Sequence, residues 1–379
     1  MKTIQIKFNL KLCAFLLLAT TFIAGCKKDD VVPIDNVTFA NIQVNSNQEV
    51  PTNTSSATGT SNIIYEKNSN LLTYTINYSG VMPTAMHFHK GAVGVSGAVE
   101  IEVKAPYSSG MTGILKLTDA QETDLLVGLW YLNIHSATFA GGEIRGQVVA
   151  EDIMVISNVA LNSRQEVPQN ASTATGAFNG LFDKKSKKIT YSLAVTGFTP
   201  TVLHLHTGEV GASGPVAVDL AAAGGTTNAL NATQEADLLA GKLYVNIHST
   251  AFPAGEIRGQ IATQNQVIYV LTANSANEVP TNASTATAAV YTVYNKTTKS
   301  LAYTINYTGV VATNMHFHKA AIGTNGPVQI GIDGPYTTGM KSSVTLTAAQ
   351  EVDLFANQWY YNLHSAAFPG GEIRGQLVR

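Results

Sequence analysis

The sequence predicts an all-β protein made of three tandem Greek-key β-sandwich domains, each with one short helix. The first observation behind this prediction is an internal repeat, because four sequence anchors return three times in the same order at domain-length intervals. The second is that each repeat reads as short β-branched and aromatic runs separated by Gly, Asn, Pro and Ser clusters, a pattern typical of a sandwich or barrel. We place the domains at residues 36–152, 153–264 and 265–379.

The four anchors are a Glu-Val-Pro turn, a His-x-His pair, an Asn-x-His triplet and a closing Gly-Glu-Ile-Arg-Gly-Gln segment. All nine histidines of the chain belong to these anchors, so their placement does not follow from composition alone. They form three sets, which are His87, His89 and His135, then His204, His206 and His248, then His316, His318 and His364.

The composition limits the classes of function. An apolar fraction of 45% is typical of a globular protein. The charged fraction is 13% and the formal net charge is -2, which offers no basic surface to attract nucleic acid. We therefore expect no nucleic-acid partner.

The N-terminus predicts export and anchoring. Residues 1–25 read as a lipoprotein signal peptide, with lysines followed by an apolar run too short to span a bilayer. Ile23-Ala24-Gly25-Cys26 resembles the lipobox of bacterial lipoproteins, which implies lipidation at Cys26 and a lipid-anchored tether over residues 26–35. The expected location is the outer membrane, facing the periplasm or the cell surface. The alternative is an ordinary cleaved signal with an unrelated cysteine.

Capping signals predict the helices. Thr118 followed three residues later by Gln121 is a capping box, and Thr347 with Gln350 repeats it. In the second repeat Thr233 is the expected N-cap, but Ala236 cannot complete the box. The Ser/Thr/Ala stretches at 52–61, 170–176 and 282–289 read as loops running into an edge strand.

The histidines are expected on one face of the sheet. Because side chains alternate across a strand, Met86, Phe88 and Ile134 would enter the core while the histidines point to the other face. On three neighbouring strands the imidazoles of one set can converge on a point. The same face would carry Asn133, Glu143 and Arg145, with their counterparts Asn246, Glu256, Arg258, Asn362, Glu372 and Arg374.

Two interpretations of this face stay open. Three imidazoles with an open fourth position suit a transition metal, with Zn or Cu as the candidates, and the neighbouring Asn, Glu and Arg would then fix the tautomers. Alternatively the histidines belong to a structural polar network. We assign no catalytic residue, because no second carboxylate recurs close to Glu143 and no Ser-His-Asp signature is present. Glu49, Glu166 and Glu278 read first as turn or edge residues.

These motifs resemble the CHRD (chordin) domain family. The resemblance rests on the His-x-His, Gly214-Pro215-Val216 after the glycine-rich turn, Tyr244-Val245-Asn246-Ile247-His248 and the closing Gly-Glu-Ile-Arg-Gly-Gln, and it covers nearly all of residues 36–379. It implies extracellular β-sandwich domains. The units are also similar to the Cu/Zn superoxide dismutase sandwich in the His-x-His and in Gly141-Gly142-Glu143-Ile144-Arg145, but they lack that family's remaining histidines, zinc-loop aspartate and disulfide pair.

Three functions follow as hypotheses. The leading one is a lipid-anchored binding or adhesion protein whose partner is an extracellular protein or polysaccharide. The others are a metal-dependent redox or hydrolytic enzyme that uses the histidines as ligands, and a structural spacer.

Overall fold

The computed structural model describes residues 35–221, 223–263 and 265–378. The expected signal peptide, Cys26 and all but the last residue of the tether lie outside the described residues. Within the described ranges, no helix is both long and apolar enough to cross a membrane.

Each domain contains eight strands, one α-helix and one 3-10 turn. The first has β1 (Asn36–Asn45), a turn (Ser46–Gln48), β2 (Thr58–Glu66), β3 (Leu71–Ser79), β4 (Pro83–Lys90), β5 (Ala98–Val103), β6 (Met111–Lys116), α1 (Asp119–Leu126), β7 (Trp130–Ser136) and β8 (Ile144–Val148). The second has β9 (Ile153–Asn162), a turn (Ser163–Gln165), β10 (Thr175–Asp183), β11 (Lys188–Thr196), β12 (Val202–Thr207), β13 (Val216–Asp219), β14 (Gly224–Thr226), α2 (Ala232–Leu239), β15 (Leu243–His248) and β16 (Ile257–Gln260). The third has β17 (Gln266–Asn274), a turn (Ser275–Asn277), β18 (Thr287–Asn295), β19 (Ser300–Thr308), β20 (Ala312–Lys319), β21 (Val328–Gly331), β22 (Met340–Thr345), α3 (Ala348–Phe355), β23 (Trp359–Ser365) and β24 (Ile373–Leu377).

The strands of each domain form one curled antiparallel sheet. In the first domain the order is β5-β4-β7-β8-β1-β2-β3-β6, and the other two domains repeat it. The halves β5-β4-β7-β8 and β1-β2-β3-β6 join through a single residue pair, Asn45 with Arg145. The chain crosses between the halves after β3, β5 and β6, which is Greek-key connectivity. The all-β prediction with three tandem domains is confirmed.

The two halves enclose the core. Phe88 and Trp130 from one half pack with Ile63 and Leu72 from the other, and all four are fully buried. The second and third domains have equivalent clusters of their own. Because each domain buries its own apolar set, none depends on a disulfide for its core.

Two local predictions were wrong. The second helix is capped by Asn231, whose side chain accepts from Gln234 N while the Gln234 side chain returns to the Asn231 N–H. The capping box is therefore complete and begins two residues before Thr233. The Ser/Thr/Ala loops do not lead into edge strands either, because β2 lies between β1 and β3 and the edges are β5 and β6.

Candidate metal centre

Strands β4 and β7 bring the three histidines of the first domain together. His87 and His89 alternate on β4 with Met86 and Phe88, both fully buried in the core. His135 stands on β7, and the antiparallel register sets it opposite Ala85, diagonal to His87. The predicted alternation is therefore present, and it places the three rings side by side on the face away from the core.

The rings of each set are in contact. In the first domain His87 Nδ1 lies 3.1 Å from His135 Nε2, and the ring centroids of His87 and His89 are 5.4 Å apart. The corresponding nitrogen distances are 3.3 Å in the second domain and 3.2 Å in the third. In every set the ring nitrogens facing one another lie within 4.8 Å, close enough to hold one metal ion.

Backbone carbonyls orient two rings of each set. His89 Nδ1 lies 3.0 Å from Gly97 O, and His135 Nδ1 lies 3.0 Å from Ala140 O. A carbonyl oxygen accepts an N–H, so each Nδ1 carries the proton and each Nε2 presents a lone pair. Among the described residues His89 Nε2 is buried without a hydrogen-bond partner, and the same holds for His206 and His318.

The glycine-rich turn after His89 is built to supply that carbonyl. A Cβ added at Gly97 would lie 1.6 Å from Lys90 O, so only glycine lets the two backbone segments approach this closely. Tyr131 Oη accepts from Gly97 N at 3.0 Å on the same turn. The conformation of the turn and the tautomer of His89 are thus fixed together.

In the second domain the remaining ring, that of His204, lies beside a carboxylate. His204 Nε2 lies 3.4 Å from Asp219 Oδ1, and His248 Nδ1 lies 3.1 Å from Pro253 O. When each acceptor takes an N–H, His204 Nδ1 and His248 Nε2 are left with lone pairs 3.3 Å apart. Two lone pairs at this distance repel each other, and the repulsion is relieved either by a cation between them or by a proton on His204 Nδ1 that is donated to His248 Nε2. Nitrogen ligands about 2.0–2.1 Å from one tetrahedral metal ion are themselves about 3.3 Å apart.

Burial keeps the second histidine of each set in the form that binds metal. It lowers the pKa of His89 more than the bond to Gly97 raises it, and positive charge on His87 lowers it further. The pKa values of His206 and His318 are lowered for the same leading reason. Neutral imidazole, the metal-ligating form, is therefore favoured near neutral pH.

Arg145 shapes the site through Tyr131 rather than through a bond to an imidazole. Its guanidinium carbon lies 3.4 Å from the centre of the Tyr131 ring, which stacks on His89 at 4.9 Å and 8°. Its nitrogens donate to Val95 O and Ala92 O, both at 3.0 Å. Arg258 and Arg374 lie over Tyr244 and Tyr360 in the same way. The arginine thus pins the glycine-rich turn above the histidines.

Asn133 and Glu143 lie on the expected face, but the hydrogen bonds of their side chains go to Glu49 and Ser55 rather than to the imidazoles. Glu143 Oε1 accepts from Ser55 Oγ at 2.6 Å, which ties the Ser/Thr-rich loop to β8. Asn133 Nδ2 donates to Glu49 Oε2 at 3.5 Å. The counterparts repeat the pattern, with Glu256 bound by Ser172, Glu372 by Ser284, Asn246 donating to Glu166 and Asn362 to Glu278. Backbone carbonyls, not these side chains, fix the tautomers of two rings in each set.

Glu49 ends the 3-10 turn after β1, in agreement with the expected turn position. Its carboxyl is buried against Asn133, which the sequence did not predict. Burial raises its pKa to about 7, against the opposing attraction of Arg145, and the pKa of Glu166 rises to about 7 for the same reason. Glu49 Oε1 and Asn133 Oδ1 both lack a partner among the described residues, which a protonated carboxyl would remedy. The signal for this role was that Glu recurs before Val-Pro in all three repeats.

Comparison with protein families decides the classification. The CHRD domain model matches three segments of the chain, residues 41–148, 157–261 and 269–377. The chain belongs to the CHRD domain family. Each CHRD domain here carries one cluster of three histidines on the outer face of its β4-β7 strand pair or the equivalent. No curated protein sequence and no solved structure matches the chain.

Proposed function

We propose that this chain is a lipid-anchored extracytoplasmic binding protein in which each CHRD domain holds one Zn or Cu ion at its three histidines. The observation that carries the metal assignment is the pair His204 Nδ1 and His248 Nε2, which lie 3.3 Å apart while Asp219 and Pro253 engage their outer nitrogens. With both outer nitrogens protonated, the two facing lone pairs are positioned to bind one cation, whereas a proton on His204 Nδ1 would make the same contact a hydrogen bond; bound metal separates the two cases. A carboxylate that orients a ligating imidazole from behind is a common companion of protein-bound zinc.

The ion would leave a position open towards solvent. His87 is only half-buried, whereas His89 and His135 are buried, so the cluster opens on the His87 side. A carboxylate or hydroxyl of an extracellular protein or polysaccharide can complete the coordination there. Three such sites on one chain would give multivalent attachment, in which weak single contacts add up.

Metal content per chain tests the proposal. Residues 29–379 are loaded with Zn or Cu and dialysed, and the bound metal is expected at about three ions per chain, one per domain. His89→Ala, His206→Ala and His318→Ala should each remove about one ion. Thr304→Ala, which changes a buried polar side chain outside the clusters, serves as the control and should remove none. A chain that retains no metal overturns the metal assignment and favours a spacer with a structural polar network.

A metal-dependent redox or hydrolytic enzyme is the second candidate, and the half-buried first histidine of each set is the observation that favours it. With Co(II) in place of the native ion, a spectrum that changes on adding azide or cyanide indicates an exchangeable ligand and supports either open-site function. An unchanged spectrum excludes the enzyme. Turnover would then distinguish the enzyme from the binding protein.

The lipid anchor has a separate test. Cys26→Ser removes the only thiol in the lipobox-like segment and should release the chain from membranes into the soluble fraction. Unchanged membrane fractionation contradicts the anchor and leaves the metal proposal untouched.

A further inference from the structure

The two contacts between neighbouring domains use equivalent surfaces. One surface is the glycine-rich turn after the His-x-His, which we call the presenting loop, at residues 91–97, 208–214 and 320–326. The other, the receiving patch, lies on the first two strands of the next domain. It consists of Asn41, Asn62 and Ile64 in the first domain, Asn158, Asn179 and Leu181 in the second, and Tyr291 and Val293 in the third.

The first domain presents its loop to the second. A Cβ built at Gly94 would lie 2.3 Å from the side chain of Asn179, which shows how closely the two surfaces meet. Asn158 Nδ2 donates to Asn47 O and to Glu49 O, both at 2.9 Å. These two carbonyls belong to the turn of the first domain that lies beside its presenting loop.

The second domain presents its loop to the third in the same manner. A Cβ at Gly211 would lie 2.8 Å from the Tyr291 ring. Tyr291 Oη donates to Glu166 O at 2.6 Å, so the equivalent carbonyl is used although the donor has changed from Asn to Tyr. Val210 lines the groove between these domains together with Tyr291 and Val293. The interface is thus repeated with different side chains.

Among the described residues, the first and third domains each carry one half of this interface with no partner surface against it. The apolar residue of the presenting loop is 9% exposed at Val93 in the first domain but 71% exposed at Ile322 in the third. Among the described residues, nothing lies within 4 Å of a Cβ built at Gly323. At the other end, Ile64 of the receiving patch is 46% exposed, whereas its counterparts Leu181 and Val293 are half-buried.

The uncovered patch has the geometry of the occupied one. Asn41 and Asn158 both adopt the left-handed conformation, with φ of 54° and 52°. Asn41 N donates to Asn62 Oδ1 at 2.9 Å, as Asn158 N does to Asn179 Oδ1 at 2.7 Å. The exposed side-chain amide of Asn41 therefore occupies the position from which Asn158 donates to a carbonyl of the neighbouring domain.

The surroundings of the two patches also match. The first strand of the following domain lies beside each, since Val155 shares a groove with Asn41 and Val267 shares one with Asn158. The groove at Asn158 admits Asn47 of the preceding domain as well. The environment of Asn41 is one that accommodates a presenting loop.

We propose that copies of this chain associate head to tail, with the presenting loop of the third domain of one copy seated on the receiving patch of the first domain of the next. The contact is heterologous, because the two surfaces differ, so repeating it builds rings or filaments rather than a symmetric pair. We call the presenting loop of the third domain the tail, and Ile322 is its apolar anchor. We call the receiving patch of the first domain, with Asn41 and Ile64, the head. The occupant is a second copy of the chain, because the third domain of that copy carries a presenting loop equivalent to those in the two interdomain contacts.

Sedimentation velocity on residues 29–379, which contain every strand and core cluster described above, tests the proposal. The unaltered protein should form oligomers that grow with concentration. Ile322→Asp removes the tail contact and Ile64→Asp the head contact, and each alone should be monomeric, with association weakened at least tenfold. A mixture of the two should give species of two chains and nothing larger, because one intact head meets one intact tail.

Val311→Asp, at an 85% exposed apolar position elsewhere in the third domain, is the control and should associate as the unaltered chain does. Asn41→Asp, which removes the amide donor, replaces Ile64→Asp if that variant unfolds. A chain that stays monomeric up to about 1 mM, where even a millimolar dissociation constant becomes visible, overturns the proposal. Self-association of either variant to the same extent as the unaltered chain also overturns it, as does failure of the two variants to combine when mixed.

Discussion

Replacing Glu49 by Gln is expected to stabilise the first domain at alkaline pH and to leave it nearly unchanged in acid. The folded protein raises the pKa of Glu49 from 4.5 to about 7, chiefly by burial. A carboxyl with a raised pKa contributes stability that is complete below about pH 4.5 and is lost as the pH rises through about 7. The structure also provides for the amide, since Gln Nε2 can donate to Asn133 Oδ1, which lacks a partner among the described residues.

The size of the effect follows from that difference in pKa. Each unit corresponds to about 1.4 kcal/mol, so the ionised carboxyl costs the folded domain about 3 kcal/mol at pH 8 and less than about 0.5 kcal/mol at pH 4.5. Glu49 is only 4% exposed, so solvent screening reduces this little. The Glu49→Gln variant should therefore gain about 2–3 kcal/mol over the parent at pH 8.

Urea unfolding, monitored by tryptophan fluorescence, measures this difference in the free energy of unfolding. The chain has two tryptophans, and Trp359→Phe leaves Trp130 as a reporter within the core of the first domain. Glu151→Gln, at an exposed position, is the control and should keep the parent's pH profile. Equal stability of the Glu49→Gln variant and its parent at pH 8, or a loss there, would refute the assignment of Glu49 as a buried carboxyl that ionises at a cost.

Two further predictions follow from the site. Asp219→Asn should weaken metal binding in the second domain by about 10–100-fold, because the carboxylate no longer holds the His204 tautomer; competition with a chromophoric chelator measures this, and unchanged affinity in all three sites would contradict it. Gly97→Ala should destabilise the first domain, because its Cβ would lie 1.6 Å from Lys90 O, whereas Gly141→Ala, with nothing within 4 Å among the described residues, should be neutral. Thermal unfolding compares the two alanine variants, and equal melting temperatures would show that the turn does not need its glycine.

The sequence was sufficient for the fold and for the face that carries the histidines. Alternation on β4 is unambiguous, because Met86 and Phe88 are strongly apolar and His87 and His89 are polar. Repetition in three domains then separated the histidines from chance placement. Sheet register was the missing step, since only the pairing of β4 with β7 sets His135 diagonal to His87.

What the sequence missed depends on contacts between distant segments. Glu49 approaches Asn133 only because β1 and β8 join at one residue pair, and neither residue signals the other locally. Backbone carbonyls such as Gly97 O have no sequence signature, so the tautomer-fixing role went to Asn133, Glu143 and Arg145 instead. The cap at Asn231 was missed because Thr233 offered a competing hydroxyl two residues later.

Anomalous diffraction from crystals grown with Zn or Cu tests the metal assignment most directly. We expect three peaks per chain, each about 2.0–2.1 Å from the Nδ1 of the first histidine of a set and from the Nε2 of the second and third. For the second domain these atoms are His204 Nδ1, His206 Nε2 and His248 Nε2. Crystals grown with metal that show no peak at the three clusters, or peaks bound only through other atoms, would contradict the account.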